Sequence, residues 1–132
     1  MSLDVGEKRI GIAISDPLCI TAQPFSVLKR SSWENDLKYL NNIIISYDVK
    51  LVVIGLPKQM NGSIGVQGEK IEQWGERFSS NVSVPIVFFD ERLTTKESER
   101  LLISADMSRQ KRKNIVDKLA ASLILEQYLR IM

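Results

Sequence analysis

Two short, uninterrupted apolar runs constrain this chain more than any other feature. Leu51-Val52-Val53-Ile54 stops at Gly55-Leu56-Pro57, and Val84-Pro85-Ile86-Val87-Phe88-Phe89 stops at Asp90-Glu91-Arg92. A strand that is apolar on consecutive residues has to be covered on both faces, which is the situation of parallel strands sandwiched between helices. Between the runs, Ile71, Trp74 and Phe78 recur at helical spacing over 66–78, so the segment reads as strand, helix, strand with a right-handed crossover. Upstream, Leu37, Leu40, Ile43, Ile44 and Tyr47 give a second helix over 33–47, with Ser32 as its N-cap. Lys113 to Ile131 is the strongest helical pattern in the chain, and Thr95 is expected to cap a shorter helix toward Ile103.

The N-terminal third reads as β structure. A first strand ends at Asp4-Val5, Gly6-Glu7-Lys8 turns the chain, Ile10 to Ile14 forms a second strand, and Phe25 to Lys29 forms a third after the Pro24 break. Met1-Ser2-Leu3 is so short a lead-in that it reads as an expression remnant standing in for native apolar residues. Residues 62–68 are glycine-rich and expected as loop. The expected fold class is α/β: a mixed five-stranded sheet, three antiparallel N-terminal strands and then parallel strands, flanked by helices in one domain over 1–132. In such sheets ligands bind beyond the carboxyl ends of the parallel strands. Asp4-Val5, Gly55-Leu56-Pro57 and Asp90-Glu91 are all such ends.

Composition then narrows the chemistry. The 132 residues include no histidine and one cysteine, Cys19. That removes Ser-His-Asp and Cys-His nucleophile systems, histidine acid–base catalysis, an ordinary zinc site and an internal disulfide. Hydrolysis by such a chain has to come from carboxylates, holding a hard divalent cation such as Mg²⁺ or Mn²⁺. No apolar stretch approaches the ~18–20 residues that span a bilayer, and no signal-peptide pattern opens the chain. A cytoplasmic protein with no membrane association is expected. The net charge of +2 is modest, but Arg92 to Lys113 carries seven basic residues against three acids, a local excess of four. Such a stretch can bind phosphates by releasing counterions, or can be a solvated helix end and loop.

Three acids stand out. Asp4 opens Asp4-Val5-Gly6 at a strand end, where it can ligate a metal while Gly6 lets a phosphate approach, or can simply make a turn. Glu91 closes the second apolar run, as a metal ligand or as a hydrated strand end paired with Arg92; adjacent side chains on a strand point to opposite faces, so at most one of Asp90 and Glu91 normally joins a given site. Asp117 shares a helix face with Ala120, Ala121, Ile124 and Tyr128. An acid thus starts the apolar stripe, either bound to a cation or favourably placed at the helix N-terminus. Together, two strand-end acids and one from an inward helix face can form an open cluster for one or two divalent ions, with Asp16 or Asp90 as a further ligand.

The ordered segments 3–16 (LDVGEKRIGIAISD), 55–63 (GLPKQMNGS), 90–95 (DERLTT) and 116–121 (VDKLAA) resemble the motifs of the YqgF family, described as Holliday junction resolvases and as nucleases maturing the precursor of small-subunit ribosomal RNA. The resemblance spans nearly the whole chain. It implies an RNase H-like fold and a divalent-metal nuclease with Asp4, Glu91 and Asp117 as catalytic acids and metal ligands. It makes Lys8, Arg9, Lys58, Asn61, Ser63 and Arg92 candidate contacts to nucleic acid, joined by Lys111, Arg112 and Lys113 of the basic stretch. The implied partner is nucleic acid, either precursor rRNA or branched DNA, and the implied state is monomer or homodimer, a resolvase being expected to cut as a dimer. Two other classes remain: a non-catalytic nucleic-acid-binding module of the same fold, and a phosphotransferase, which would need a second such domain.

Overall fold

The computed structural model describes residues 1–18, 20–58, 64–91 and 109–131; at 91 and 109–118 it describes the backbone alone. The elements in chain order are β1 (Ser2–Val5), β2 (Arg9–Ser15), β3 (Ala22–Lys29), α1 (Trp33–Ser46), β4 (Val52–Pro57), α2 (Val66–Ser79), β5 (Ile86–Glu91) and α3 (Arg109–Ile131). The strands form one sheet of order β3-β2-β1-β4-β5. β1 and β2, and β2 and β3, run antiparallel; β1 and β4, and β4 and β5, run parallel. This is the expected mixed sheet. The helix expected from Thr95 toward Ile103 lies outside the described residues, as do the loop residues 59–63.

Register explains how one sheet acquires two different faces. Ser2 pairs with Ala13 and Val53, and Leu3 with Ile12 and Ile54. Side chains alternate along a strand, so Leu3, Val5, Ile10, Ile12, Val52, Ile54 and Leu56 all point to one face. There they form the main core with Leu40, Ile43 and Ile44 of α1 and Ile71, Trp74 and Phe78 of α2. Trp74 stacks on Phe78, with ring centroids 5.0 Å apart, and meets Trp33 edge-on. Gly75 lets α2 come close to the sheet, since a Cβ there would stand 2.6 Å from the Phe88 ring.

The other face carries Ser2, Asp4, Gly11, Ala13, Val53 and Gly55, which are small or polar. Helix α3 covers it: Ala121 and Leu125 pack with Ala13, Ala22 and Leu129 border the same cluster, and the buried Ser2 hydroxyl donates to the Ala121 carbonyl at 2.5 Å. Small residues on both sides permit this close approach, and Ala120, Ala121 and Ile124 are fully buried, as the stripe expected.

Local details follow from residue chemistry. Ser32 caps α1 by accepting from the Asn35 amide. β3 starts at Ala22 rather than after Pro24. Pro24 is tolerated because β3 is an edge strand and the β2–β3 register shifts beside it, between Ile12 and Ala13. β4 runs on through Gly55-Leu56-Pro57, because β5 continues to pair with it as far as Glu91 opposite Pro57. α3 begins at Arg109, ahead of the Lys113 start suggested by the apolar pattern. Met1, Ser2 and Leu3 are buried, and the Met1 amino group donates to the Leu51 carbonyl, so these residues are integral to the sheet.

Candidate active site

Asp4 is the next-to-last residue of β1 and is half-buried. Its antiparallel partner is Gly11, and the parallel register that pairs Leu3 with Ile54 brings Gly55 to its other side. Neither neighbour has a side chain to place beside the carboxylate. Gly55 in turn pairs with Phe89, and Pro57 with Glu91. Positions 4, 55, 89 and 91 therefore share one face of the sheet, the face under α3. Phe89 confirms the assignment by meeting Tyr128 of α3 edge-on, with ring centroids 6.3 Å apart.

The direction of α3 turns its acid-bearing end toward the end of β1. Ala121 lies over Ser2, while Tyr128 and Leu129 line the cavity at the opposite end of the sheet together with Ser15, Asp16 and Leu51. α3 therefore runs against β1. Asp4 is two strand residues beyond Ser2, a climb of about 6.6 Å. Position 117 is four helical residues before Ala121, a climb of about 6 Å in the same direction. Positions 4 and 91 thus lie on one side and toward one end of the sheet, and position 117 is one helical turn before Ala121 on the helix that covers that side. The side chains of Glu91 and Asp117 lie outside the described residues, and among the described residues no cluster of three metal-ligating groups occurs.

The turn after Asp4 is braced from β3. The Gly6 amide donates to the Arg9 carbonyl at 2.8 Å, and a Cβ on residue 6 would stand 2.9 Å from that same oxygen, so only glycine closes the turn without a clash. Arg30 adds two ties: its amide donates to the Lys8 carbonyl at 2.9 Å and its Nη1 to the Gly6 carbonyl at 2.7 Å. Sequence reasoning missed Arg30, because a cation just past a strand gives no sign of which carbonyl it will find. Lys8 is exposed and Arg9 half-buried at this corner, and Lys58 follows Pro57 at the same end of β4. Asn61, Ser63 and Arg92 lie outside the described residues, and for Lys111, Arg112 and Lys113 only the backbone, in the first turns of α3, is described.

The two further acids do not join the face of Asp4. Asp90 pairs with Leu56, so it points to the α1/α2 side. Asp16 lies past the far end of β2, where its Oδ1 accepts from the Ile20 and Thr21 amides, each at 2.7 Å. The Thr21 amide above all holds its carboxyl below the usual aspartate range. An apolar cavity at that far end, lined by Met1, Ile14, Tyr47, Val49 and Leu125, is thus remote from Asp4.

Carboxylate oxygens are the donors a hard divalent cation prefers. A half-buried carboxylate between two glycines, with acidic position 91 on the same side of the sheet and 117 on the helix that covers it, fits such an ion.

The sheet and its helices form a fold shared with solved proteins that bind Holliday junctions. The chain aligns over 98% of its length with Thermus thermophilus RuvC in complex with a Holliday junction substrate (TM-score 0.58, 12% identity, 92% of that chain). It aligns equally with the fowlpox virus resolvase in complex with Holliday junction DNA (TM-score 0.54, 17% identity, 95% of that chain). At these identities the likeness is one of fold. Residues 1–131 match the family model described as "RuvX: Holliday junction resolvase", and the chain belongs to this family, the YqgF family of the sequence motifs. It is 52% identical over 130 residues to a protein of Caldanaerobacter subterraneus subsp. tengcongensis and 48% identical over 129 residues to one of Clostridium acetobutylicum. Both are named "Putative pre-16S rRNA nuclease"; the alignments cover 98% of this chain and 94% and 96% of theirs.

Proposed function

We propose that this chain is a divalent-metal-dependent nuclease that trims the precursor of 16S rRNA in the cytoplasm, acting as one catalytic domain over 1–132. Asp4, Glu91 and Asp117 are its metal ligands and catalytic acids. The observation that carries this reading is the position of Asp4: glycines on both sides, α3 overhead, and the end of β5 on the same face.

The chain's own residues have three tasks. The acids hold Mg²⁺ or Mn²⁺ at the end of the sheet, where β1, β5 and α3 fix their backbone positions before substrate arrives. That preorganisation matters because groups fixed in advance need no rearrangement as charge builds on the phosphate. Gly11 and Gly55 keep the flanks of Asp4 free of side chains, so that a phosphodiester can come close. Lys8, Arg9 and Lys58, with Asn61, Ser63, Arg92 and Lys111 to Lys113, are proposed to contact the substrate backbone, setting its register without reading bases. When bound, the cation supplies charge stabilisation at the scissile phosphate and makes water a better nucleophile at neutral pH.

A second reading, cutting of branched DNA, is favoured by the family description and by the fold shared with two resolvases. It calls for a homodimer, whereas rRNA trimming is compatible with a monomer. The deciding experiment gives purified protein with Mn²⁺ or Mg²⁺ precursor 16S rRNA, four-way junctions and duplex DNA in parallel. Divalent-dependent trimming of the RNA, lost in Asp4→Asn, is the expected result. Paired symmetric cuts in the junction with the RNA intact would establish the second reading, and no cleavage of any substrate would refute both.

A further inference from the structure

Beside the acidic end of β1, strands β2 and β3 set two cations next to each other. Arg9 and Lys29 are direct cross-strand partners in the antiparallel ladder. In register, position 9 falls opposite Gly6, so alternation puts Arg9 and Lys29 on the face of Asp4, one row nearer the strand end. Lys29 is exposed and Arg9 half-buried. Like charges directly opposite each other are unfavourable in a sheet. Among the described residues no acid relieves them: the described ion pairs are Lys50–Asp48, Lys70–Glu7 and Arg130–Glu126. The two bonds from Arg30 to the Lys8 and Gly6 carbonyls tie the β1–β2 turn to the end of β3, so the backbone that carries both cations is braced. A pair of cations with no ion pair of its own among the described residues is suited to an anion that arrives from outside.

We propose that Arg9 and Lys29 form a clamp on the sugar–phosphate backbone of the substrate strand, beside the scissile bond. This rests on the nuclease reading and goes beyond it by fixing the direction of the substrate, which leaves the acids across β2 and β3. Lys29 stands on a strand two spacings from β1, about 10 Å away. The clamp therefore holds phosphates flanking the scissile one, not the scissile one itself. Because the contacts are to phosphate, RNA and DNA strands are gripped alike.

The test is binding of a short labelled single-stranded RNA, and of the DNA of the same sequence, with metal chelated so that cleavage is off. Anisotropy titrations at salt concentrations from about 50 to 200 mM give the slope of log affinity against log salt. Arg9→Gln and Lys29→Gln are each expected to weaken binding several-fold at the lowest salt and to flatten the slope by about 0.7, the value for one lost phosphate contact on a single strand. Lys29→Arg keeps the charge and is expected to keep the slope, while Lys50→Gln, at the other end of the sheet, changes nothing. Thermal stability of Lys29→Gln should equal or exceed that of the parent, since a like-charge neighbour has gone. Slopes unchanged in both Gln variants, or a slope change as large in Lys50→Gln, would overturn the clamp. Cleavage by the parent and by Asp4→Asn in metal decides the nuclease reading separately, so either idea can fail while the other stands.

Discussion

Replacing Ser2 probes the contact that locks α3 over β1. The Ser2 side chain is fully buried and its hydroxyl donates to the Ala121 carbonyl at 2.5 Å. Ser2→Ala removes that bond but leaves no orphan, because the carbonyl keeps its bond within the helix. The expected loss is about 1 kcal/mol. With an unfolding entropy near 2.1 cal/mol/K per residue, the 132 residues total roughly 0.28 kcal/mol/K, so Tm should fall by about 4 °C. Ser2→Val is harsher. A methyl group needs about 3.3 Å or more from a carbonyl oxygen, so α3 must recede by nearly 1 Å at Ala121. Position 117, one turn away, moves with it. A displacement of that size at a reacting centre costs on the order of 100-fold in rate. Thermal denaturation and single-turnover cleavage of the same preparations separate the two effects: Ser2→Ala should lose stability more than rate, and Ser2→Val should lose rate out of proportion to stability. A Ser2→Val protein that cleaves at the parental rate would refute the placement of α3 as the element that sets the third acid.

Three other perturbations follow from particular contacts. Mn²⁺ at about 100 times its Kd should stabilise the parent by about 2.7 kcal/mol, a rise of roughly 10 °C in Tm, and leave the Tm of Asp4→Asn almost unmoved; equal rises would place the ion elsewhere. Phe78→Ala, at a fully buried side chain stacked on Trp74, should cost about 3–5 kcal/mol in chemical denaturation, and a loss under 1 kcal/mol would contradict the core described. The Asp16 carboxyl is held below its unfolded pKa, so its contribution to stability is fully present above about pH 4 and disappears as pH falls through the folded value. Asp16→Asn should therefore be less stable than the parent at neutral pH and converge with it in strong acid, and its cleavage rate at pH 7 should be unchanged because the loop lies at the far end of the sheet.

Most of the architecture was legible because large apolar residues report their surroundings. The run Leu51 to Ile54 announced a doubly covered strand, and the spacing of Leu40, Ile43 and Ile44 announced α1. Strand limits were less legible where small or cyclic residues intervened. Pro24 looks like a stop but sits inside edge strand β3, and Gly55 and Pro57 look like stops but pair with Phe89 and Glu91. Of the candidate site, the sequence offered three acids, and the structure adds the setting of one of them, Asp4. That Gly11 and Gly55 bracket Asp4 is a matter of register between strands some ten and fifty residues apart, which no local pattern encodes. The Arg30 brace and the Arg9–Lys29 pairing are hidden for the same reason.

The central claim is that Asp4, Glu91 and Asp117 act as a unit around one cation centre. Its most direct test is single-turnover cleavage of precursor 16S rRNA in Mn²⁺ by Asp4→Asn, Glu91→Gln, Asp117→Asn and their pairwise combinations. Groups that work as a unit are non-additive. Each single variant should lose at least about 100-fold, by analogy with removal of one preorganised stabilising group, and no double variant should fall much further. Wild-type cleavage by any one of the three variants would remove that acid from the centre and contradict the account.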